Sequence, residues 1–594
     1  MTVLKDASAT AAYGARGSNG VIVIETKDGK RNQETTIEAS TRMGFQNKAV
    51  EGRQPLSGQQ RFTLYKEALA NTYPNLVTSP DEAWSFAKSN GLPGVASFQP
   101  WIDNGKPDIS WEESLANENA PTQNYNISAR GGTEVSSFYA SLGHKTAEAI
   151  VMGGDFEKYT GTLNYTRDLK ENVTLDSKIQ FANVNQNPIL EQSAYFSSPN
   201  AAKYFMPNTI PVKNDDGSYN LDIPVSNYNA AYMMENDINY NENTNSKVYL
   251  SLDWDIIENL TFNSTAQGNY TVFNQFDYGN RNHGDVEDQG GNIYEYVRRR
   301  FNYTFQNSLS YNFSLQNSHN FDVKILQEFQ KDKERFLDGY GESFPSDGLN
   351  YLANAPANQE TYAFYEDWMN LSYLGMVNYN YEGKYVVDLT YRREGSSRFA
   401  EGHRFGNFWS VGTAWNITEE SFMEGIDELS RLRIRGSYGR SGNSSIPINE
   451  YQALLSFDEK YNARSAVYAT QLRNQQLTWE KTDNLDVGVE FGLFEGRLSG
   501  GVAYFHKTTL DMLQDVPLTR STGFSEYRKN IGEMVNQGLE FNLSGDIIRS
   551  EDMNWSVSGF FSTVDNEVTE LAEDPTGGEL NITTGTRKVA VGHP

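Results

Sequence analysis

The chain has 594 residues, a formal net charge of −27, 6 His and no Cys. The acidic balance excludes a nucleic-acid surface, because phosphate binding needs clustered cations. The missing thiols exclude disulfides, thiolate metal sites and cysteine nucleophiles.

Aromatic residues make up 13% of the chain, with 35 Tyr and 32 Phe, yet mean hydropathy is −0.63. A polar chain this rich in aromatics fits strands with one apolar face and one wet face. No apolar run approaches the length of a transmembrane helix. A membrane β-barrel stays open, since its lipid face recurs only at every second residue. A cysteine-free chain suits an oxidising periplasm, and no secretory signal follows Met1.

The chain opens on VLKDASATAAYGARGSNGVIVIETKDGK, residues 3–30. Gly14, Gly17 and Gly20 resemble a phosphate loop in spacing alone. A dinucleotide loop needs a strand before its glycines and a helix after them. Here a strand, 21–26, follows instead. The glycines read as close backbone packing with positive φ.

From Thr35 onward the hydrophobic period is 2. It recurs at 159–166, 173–181, 248–256, 260–270, 371–381, 385–391, 485–493, 535–547 and 555–561, which predicts strands facing two different solvents. Helical pattern is confined to 59–71 and 419–429. Connections alternate in length. Short linkers fall at 131–134, 169–172, 256–259, 315–319, 381–384, 494–497 and 549–552. Long ones fall near 47–122, 186–243, 339–362, 441–481 and 514–528. Tight turns at one end and long loops at the other predict an all-β fold, a large antiparallel up-and-down transmembrane barrel. A propeller or β-helix would show fixed-period repeats, and none is visible. About 17 strands are counted. The odd count and a polar stretch at 573–587 predict a barrel incomplete at its C-terminus.

Several long blocks, in order, resemble the SusC/RagA-like TonB-dependent transporters of the Gram-negative outer membrane. The opening resembles the end of their plug domain. QNYNISARGGTEVSSFYASLGH (123–144), YLGMVNYNYEGKYVVDLTYRREGSSRFAEGHRFGNFWSVGTAW (373–415), LRIRGSYGRSGN (432–443), LTWEKTDNLDVGVEFGLFEGRLSGGVAYFHKTTLDML (477–513) and NIGEMVNQGLEFNL (530–543) resemble their barrel. The resemblance implies a barrel of about 22 strands filled by an internal plug. It implies residues 1–30 as the C-terminal part of the plug and 31–594 as barrel. It also implies a missing signal peptide, TonB box and front of the plug, and about five missing strands. The function implied is active import of glycans or oligopeptides across the cell outer membrane. A SusD-like surface lipoprotein would help, and the TonB-ExbB-ExbD complex would supply the energy. The protein is then no enzyme and needs no cofactor or metal. The competing function is a structural or adhesive barrel without energy coupling, which has no need of a plug. A secreted carbohydrate enzyme lacks a catalytic constellation here.

Gly14, Arg16, Gly17 and Gly20 form the plug motif. Lys5 and Arg16 are plug cations that seek carboxylates on the barrel's inner face. Asp486, Glu490, Glu540 and Asp546 alternate with apolar residues and are the candidate partners. The alternative for Arg16 is an ordinary solvated surface arginine. The charge-dense RREGSSRF (392–399) has no adjacent histidine base and reads as a loop-ordering segment. NDDG at 214–217 lacks the calcium-loop pattern and reads as a polar turn. Aromatics stand in the long loops at Trp84, Phe98, Trp101, Trp111, Tyr195, Tyr204 and Phe205. Of these, Trp101 and Tyr204 are expected to face ligand.

Overall fold

The computed structural model describes residues 2–50, 52–189, 198–223, 227–457, 459–573, 582–584 and 586–594. Eighteen strand segments, from Gln33–Gln46 to Asp565–Glu570, form one antiparallel wall curled into a barrel. Ladders join each strand to its neighbour in the chain. Asn554–Ser562 and Asp565–Glu570 both pair with Glu533–Arg549, along different stretches of it. They are one wall strand broken near Thr563. Eighteen segments less one leaves 17 positions in the wall, which is the count that the sequence pattern predicts.

The short linkers are tight turns. Between Ala357–Tyr381 and Tyr385–Ser396 the chain reverses through Glu382 (φ 50°) and Gly383 (φ 73°), the left-handed pair that suits a right-twisted hairpin. Strands reach 24 or 25 residues, as in His319–Glu342 and Ala357–Tyr381. A tilted membrane strand needs only about 9–11, so these continue beyond the bilayer. Apolar side chains such as Ile37, Leu142, Ile325 and Leu389 stand exposed on the outer face, where lipid covers them. Among the described residues no helix is long and apolar enough to cross a membrane.

The N-terminal segment pairs Thr2–Leu4 with Val21–Val23, so the strand expected over 21–26 is shorter. Between them lie helix α1 (Ala7–Ala11) and a 3-10 turn, Gly14–Arg16.

The first long loop is a small helical layer: α2 (Gly58–Thr72), α3 (Pro80–Ser89), α4 (Gly94–Asp103) and α5 (Trp111–Leu115). Only α2 was legible in the hydrophobic period. Yet Ser57 and Gln60 form a reciprocal capping box on α2, and Ser79 with Pro80 starts α3, both local start signals. A second helical loop carries α6 (Pro199–Phe205) and α7 (Ala230–Asn236). The helix expected over 419–429 does not form. That stretch holds two 3-10 turns, Ile417–Glu419 and Ser421–Met423, ended by Gly425 at φ 91°. Strands also run further into the long loops than their patterns suggested, because they stay paired above the apolar band.

Candidate functional site: an ion-pair network between the N-terminal segment and the wall

Along Tyr385–Ser396 the side chains alternate. Tyr385, Leu389 and Tyr391 are exposed outward, while Thr390, Arg392 and Glu394 are buried on the other face. Arg392 and Glu394 are each 1% exposed, and Glu328 on the neighbouring wall is 3% exposed. Charges buried this deeply persist only when paired and hydrogen-bonded.

The pairing is complete around Arg392. Its Nε donates to Glu394 Oε2 at 2.9 Å, and its Nη2 donates to Glu328 Oε1 and Ser372 Oγ, both at 2.8 Å. Its Nη1 crosses to the N-terminal segment and donates to the Ala12 carbonyl at 2.9 Å. Arg16 Nη2 meets the same Glu328 Oε1 at 2.6 Å, and the Ala15 N–H donates to Glu394 Oε2 at 3.3 Å. Gln306 donates to the second Glu328 oxygen. Two wall carboxylates thus bind one wall guanidinium, one segment guanidinium and one segment amide.

Gly14 makes the approach feasible. Its φ is +57°, and a Cβ there would collide with Glu394 Oε2 and Arg392 Nε. Gly17 lies against the Thr10 carbonyl, and Gly20 has φ +90°. Beside the charges, Ala15 packs into an apolar cluster of Phe399, Phe408, Ile446 and Trp479.

The expected ion-pair residues distribute as follows. Lys5 Nζ is 2.8 Å from Glu540, with both side chains well exposed. Asp486 meets Arg435 at 2.6 Å, Glu490 accepts from Arg431 and lies 3.5 Å from Arg435, and Arg435 also lies 3.7 Å from Asp6 of the segment. Arg16 meets none of the four expected acids; its partner is Glu328. Asp546 accepts from Ser556 Oγ at 2.8 Å across its own hairpin. Glu328, Arg392 and Glu394 escaped the sequence reading. The charge density of 392–399 reads as a loop-ordering segment when taken without the strand. The strand in fact runs to Ser396, and the in–out alternation of RREG was the available signal.

The loop aromatics are largely structural. Trp101 is 2% exposed, packs with Phe62 and Phe98 and donates its Nε1 to the Pro107 carbonyl at 2.8 Å. Its ring is therefore spent on the loop's own core and does not face ligand as expected. Trp111 is equally buried, donating to Ile210 O at 3.1 Å, and Trp84 packs edge-on and Phe98 tilted against Phe62. Tyr204 and Phe205 are exposed. Tyr195 lies outside the described residues. Residues 214–217 form a polar turn with Gly217 at φ 86° and Ser218 Oγ donating to Asp216 at 2.6 Å. No metal-ligating cluster occurs among the described residues.

Two loop carboxyls are perturbed in opposite senses. Burial raises Glu112, but the ammonium groups of Lys203 and Lys48 outweigh it and hold the carboxyl below its usual range. Asp237, next to α7, is pushed up to about 6 by burial, although Asn280 donates to it from both backbone and side chain.

A curled antiparallel wall with short turns, long loops and an N-terminal segment seated on buried wall charges defines an outer-membrane β-barrel of the receptor type. The family model "TonB dependent receptor-like, beta-barrel" matches residues 195–587, and the chain belongs to that family. The TonB-dependent receptor P39 of Formosa agariphila is 29% identical over 592 residues, covering 98% of this chain and 54% of the relative. SusC of Bacteroides thetaiotaomicron is 26% identical over 629 residues, covering 98% and 57%. The chain thus spans about half the length of these curated relatives. The structure of the RagAB peptide transporter superposes with a TM-score of 0.85 at 25% identity, covering 100% of this chain and 67% of that one. The resemblance to SusC and RagA read from the sequence blocks is borne out. The family's place is the outer membrane, and its members are receptors and transporters, not enzymes.

Proposed function

We propose that the protein serves TonB-dependent import of an oligomeric nutrient, a glycan or an oligopeptide, across the outer membrane. In this reading residues 1–30 are the C-terminal part of a plug and 31–594 the barrel wall. A SusD-like lipoprotein caps the extracellular loops, and the TonB-ExbB-ExbD complex delivers the work that moves the plug. The likeness to a solved peptide transporter supports the oligopeptide class, and the glycan class rests on the resemblance of the sequence blocks.

The observation that carries the reading is the docking of the N-terminal segment on Glu328, Arg392 and Glu394. A passive or adhesive barrel has no use for a segment held on buried charges. Import by this route would proceed by capture at the loops, occlusion by the lid, and a pull that breaks the Arg16–Glu328 and Ala12–Arg392 contacts to open a path. In cells expressing the protein, uptake of a labelled oligomer should stop when TonB is deleted or the proton-motive force is collapsed. Uptake that continues unchanged would instead make the protein a passive barrel.

A further inference from the structure

The outer face of the wall carries a cluster of cations that takes no part in docking the segment. Three long strands, Asn292–Leu315, His319–Glu342 and Ala357–Tyr381, pair side by side there. Alternation fixes which residues point outward. Phe301, Phe305, Ile325, Leu337 and Tyr365 are exposed, whereas Glu328 faces the N-terminal segment. Arg299 keeps step with Phe301, and Lys331, Lys333 and Arg335 keep step with Ile325 and Leu337. All four cations therefore point away from the segment. Arg299 and Arg335 stand directly opposite each other across the ladder, and Lys333 stands opposite Asp367.

The cluster lies at headgroup level. The short turns at 315–319 and 381–384 mark the periplasmic ends of these strands. Next to them is one aromatic girdle, Tyr311, Phe313, Phe321 and Tyr379, in ring contact. A second, Tyr270, Phe301 and Tyr303, stands further along. From Phe313 to Phe301 a tilted strand climbs about 30 Å, the thickness of a bilayer core. Lys331 and Lys333 pair with Tyr303 and Phe301 of the second girdle. Arg299 is the next outward residue beyond Phe301, and Arg335 is its partner.

The protein does not balance these charges. Asp367 is taken by Lys331 at 2.6 Å and also accepts from the Tyr365 hydroxyl at 3.3 Å. Arg299, Lys333 and Arg335 make no hydrogen bond or ion pair among the described residues. Of the outward acids on the neighbouring strands, Glu242 is engaged by Asn183 and Asn274, and Glu295 stands about 13 Å beyond Arg299 along its strand. Like charges directly opposite each other repel. In a chain of net charge −27, four cations around one carboxylate call for a counter-anion. The fork of a guanidinium matches phosphate oxygens, and the girdle and apolar wall just below offer a surface for acyl chains. A phosphate tethered to acyl chains fits both parts; a free phosphate fits only the first.

We propose that Arg299, Lys333 and Arg335 form a binding site for the phosphate of an outer-leaflet glycolipid, with its acyl chains laid along the wall below Phe301. The test is native mass spectrometry of the whole protein, extracted from the outer membrane and stripped of lipid by detergent exchange. The probes are phosphorylated lipid A, the same lipid A dephosphorylated, phosphatidylethanolamine and inorganic phosphate. Phosphorylated lipid A should be retained about tenfold or more above the dephosphorylated form and phosphatidylethanolamine, and Arg299→Gln with Arg335→Gln should remove that advantage. Arg299→Lys with Arg335→Lys keeps the charge and should lose less. Because these side chains are exposed, the melting transition of the lipid-free protein should not fall in either variant. Equal retention of dephosphorylated lipid A, or full retention by the glutamine variant, overturns the proposal. Displacement of the lipid by an equal concentration of inorganic phosphate would make this a general anion site, and a change of oligomeric mass in the lipid-free variants would make it a contact between copies; either result also overturns it.

Discussion

Arg392 divides its guanidinium among Glu394, Glu328, Ser372 and the Ala12 carbonyl. Breaking a buried ion pair by removing one partner strands the other charge, at about 3–5 kcal/mol. Arg392→Ala should therefore release the N-terminal segment, read as a gain in hydrogen exchange at residues 12–17. Lys5→Ala should change exchange little, because its partner Glu540 is exposed and such pairs are worth about 0–1 kcal/mol. Equal effects from the two substitutions would contradict the hierarchy. Gly14→Ala should mimic Arg392→Ala without removing any charge, since the added methyl displaces Glu394 and Arg392 and its φ of +57° disfavours alanine. At Asp237, the sign of the pH dependence follows from its raised pKa. The folded loop holds the proton more tightly than the unfolded chain does. Its contribution is present in full below about pH 4 and is lost as pH rises through about 6. Protection of the α7 amides, corrected for intrinsic exchange, should fall over that window in the natural protein and stay level in Asp237→Asn.

At the scale of elements, the wall was readable and the loops were not. Strands exposed to lipid on one face and water on the other must alternate, so residues such as Val487 and Asp486 announce their sides. The same logic placed Asp486, Glu490 and Glu540 inward without saying which cation each meets, because partner choice depends on how the segment folds over the wall. Helices α3 to α5 escaped because each is at most ten residues long, too short for a helical period to stand out. They are held by tertiary packing: α3 by Ala83 and Ala87 against Leu69 and Val77, α4 by Phe98 and Trp101 against Phe62, and α5 by Trp111 and Leu115 against Ala202 and Met206. That packing explains why Trp101 misled: an aromatic in a polar loop looks ligand-facing until the loop has its own core. Trp101→Ala should cost about 3–5 kcal/mol of loop stability, seen as proteolytic cleavage within residues 58–103 while the barrel stays intact. A protease-resistant loop would show that the aromatic cluster is dispensable.

Across the whole molecule, a lipid-facing wall holds a docked N-terminal segment that leaves it in the proposed import. The segment's contacts are mostly charged or polar, and its apolar anchor is small, Ala15 against Phe399, Phe408 and Trp479. Charged contacts hold a docked state firmly but release it without exposing a large apolar surface, which suits a part moved by applied force. The most direct test uses the cysteine-free background. A Cβ built at Gly412 lies 2.9 Å from Ser8 Cβ, close enough for a disulfide after a small shift. Ser8→Cys with Gly412→Cys should cross-link the segment to the wall. The account predicts that TonB-dependent uptake stops when the disulfide forms and returns when it is reduced. Full uptake with the segment fully cross-linked would contradict it.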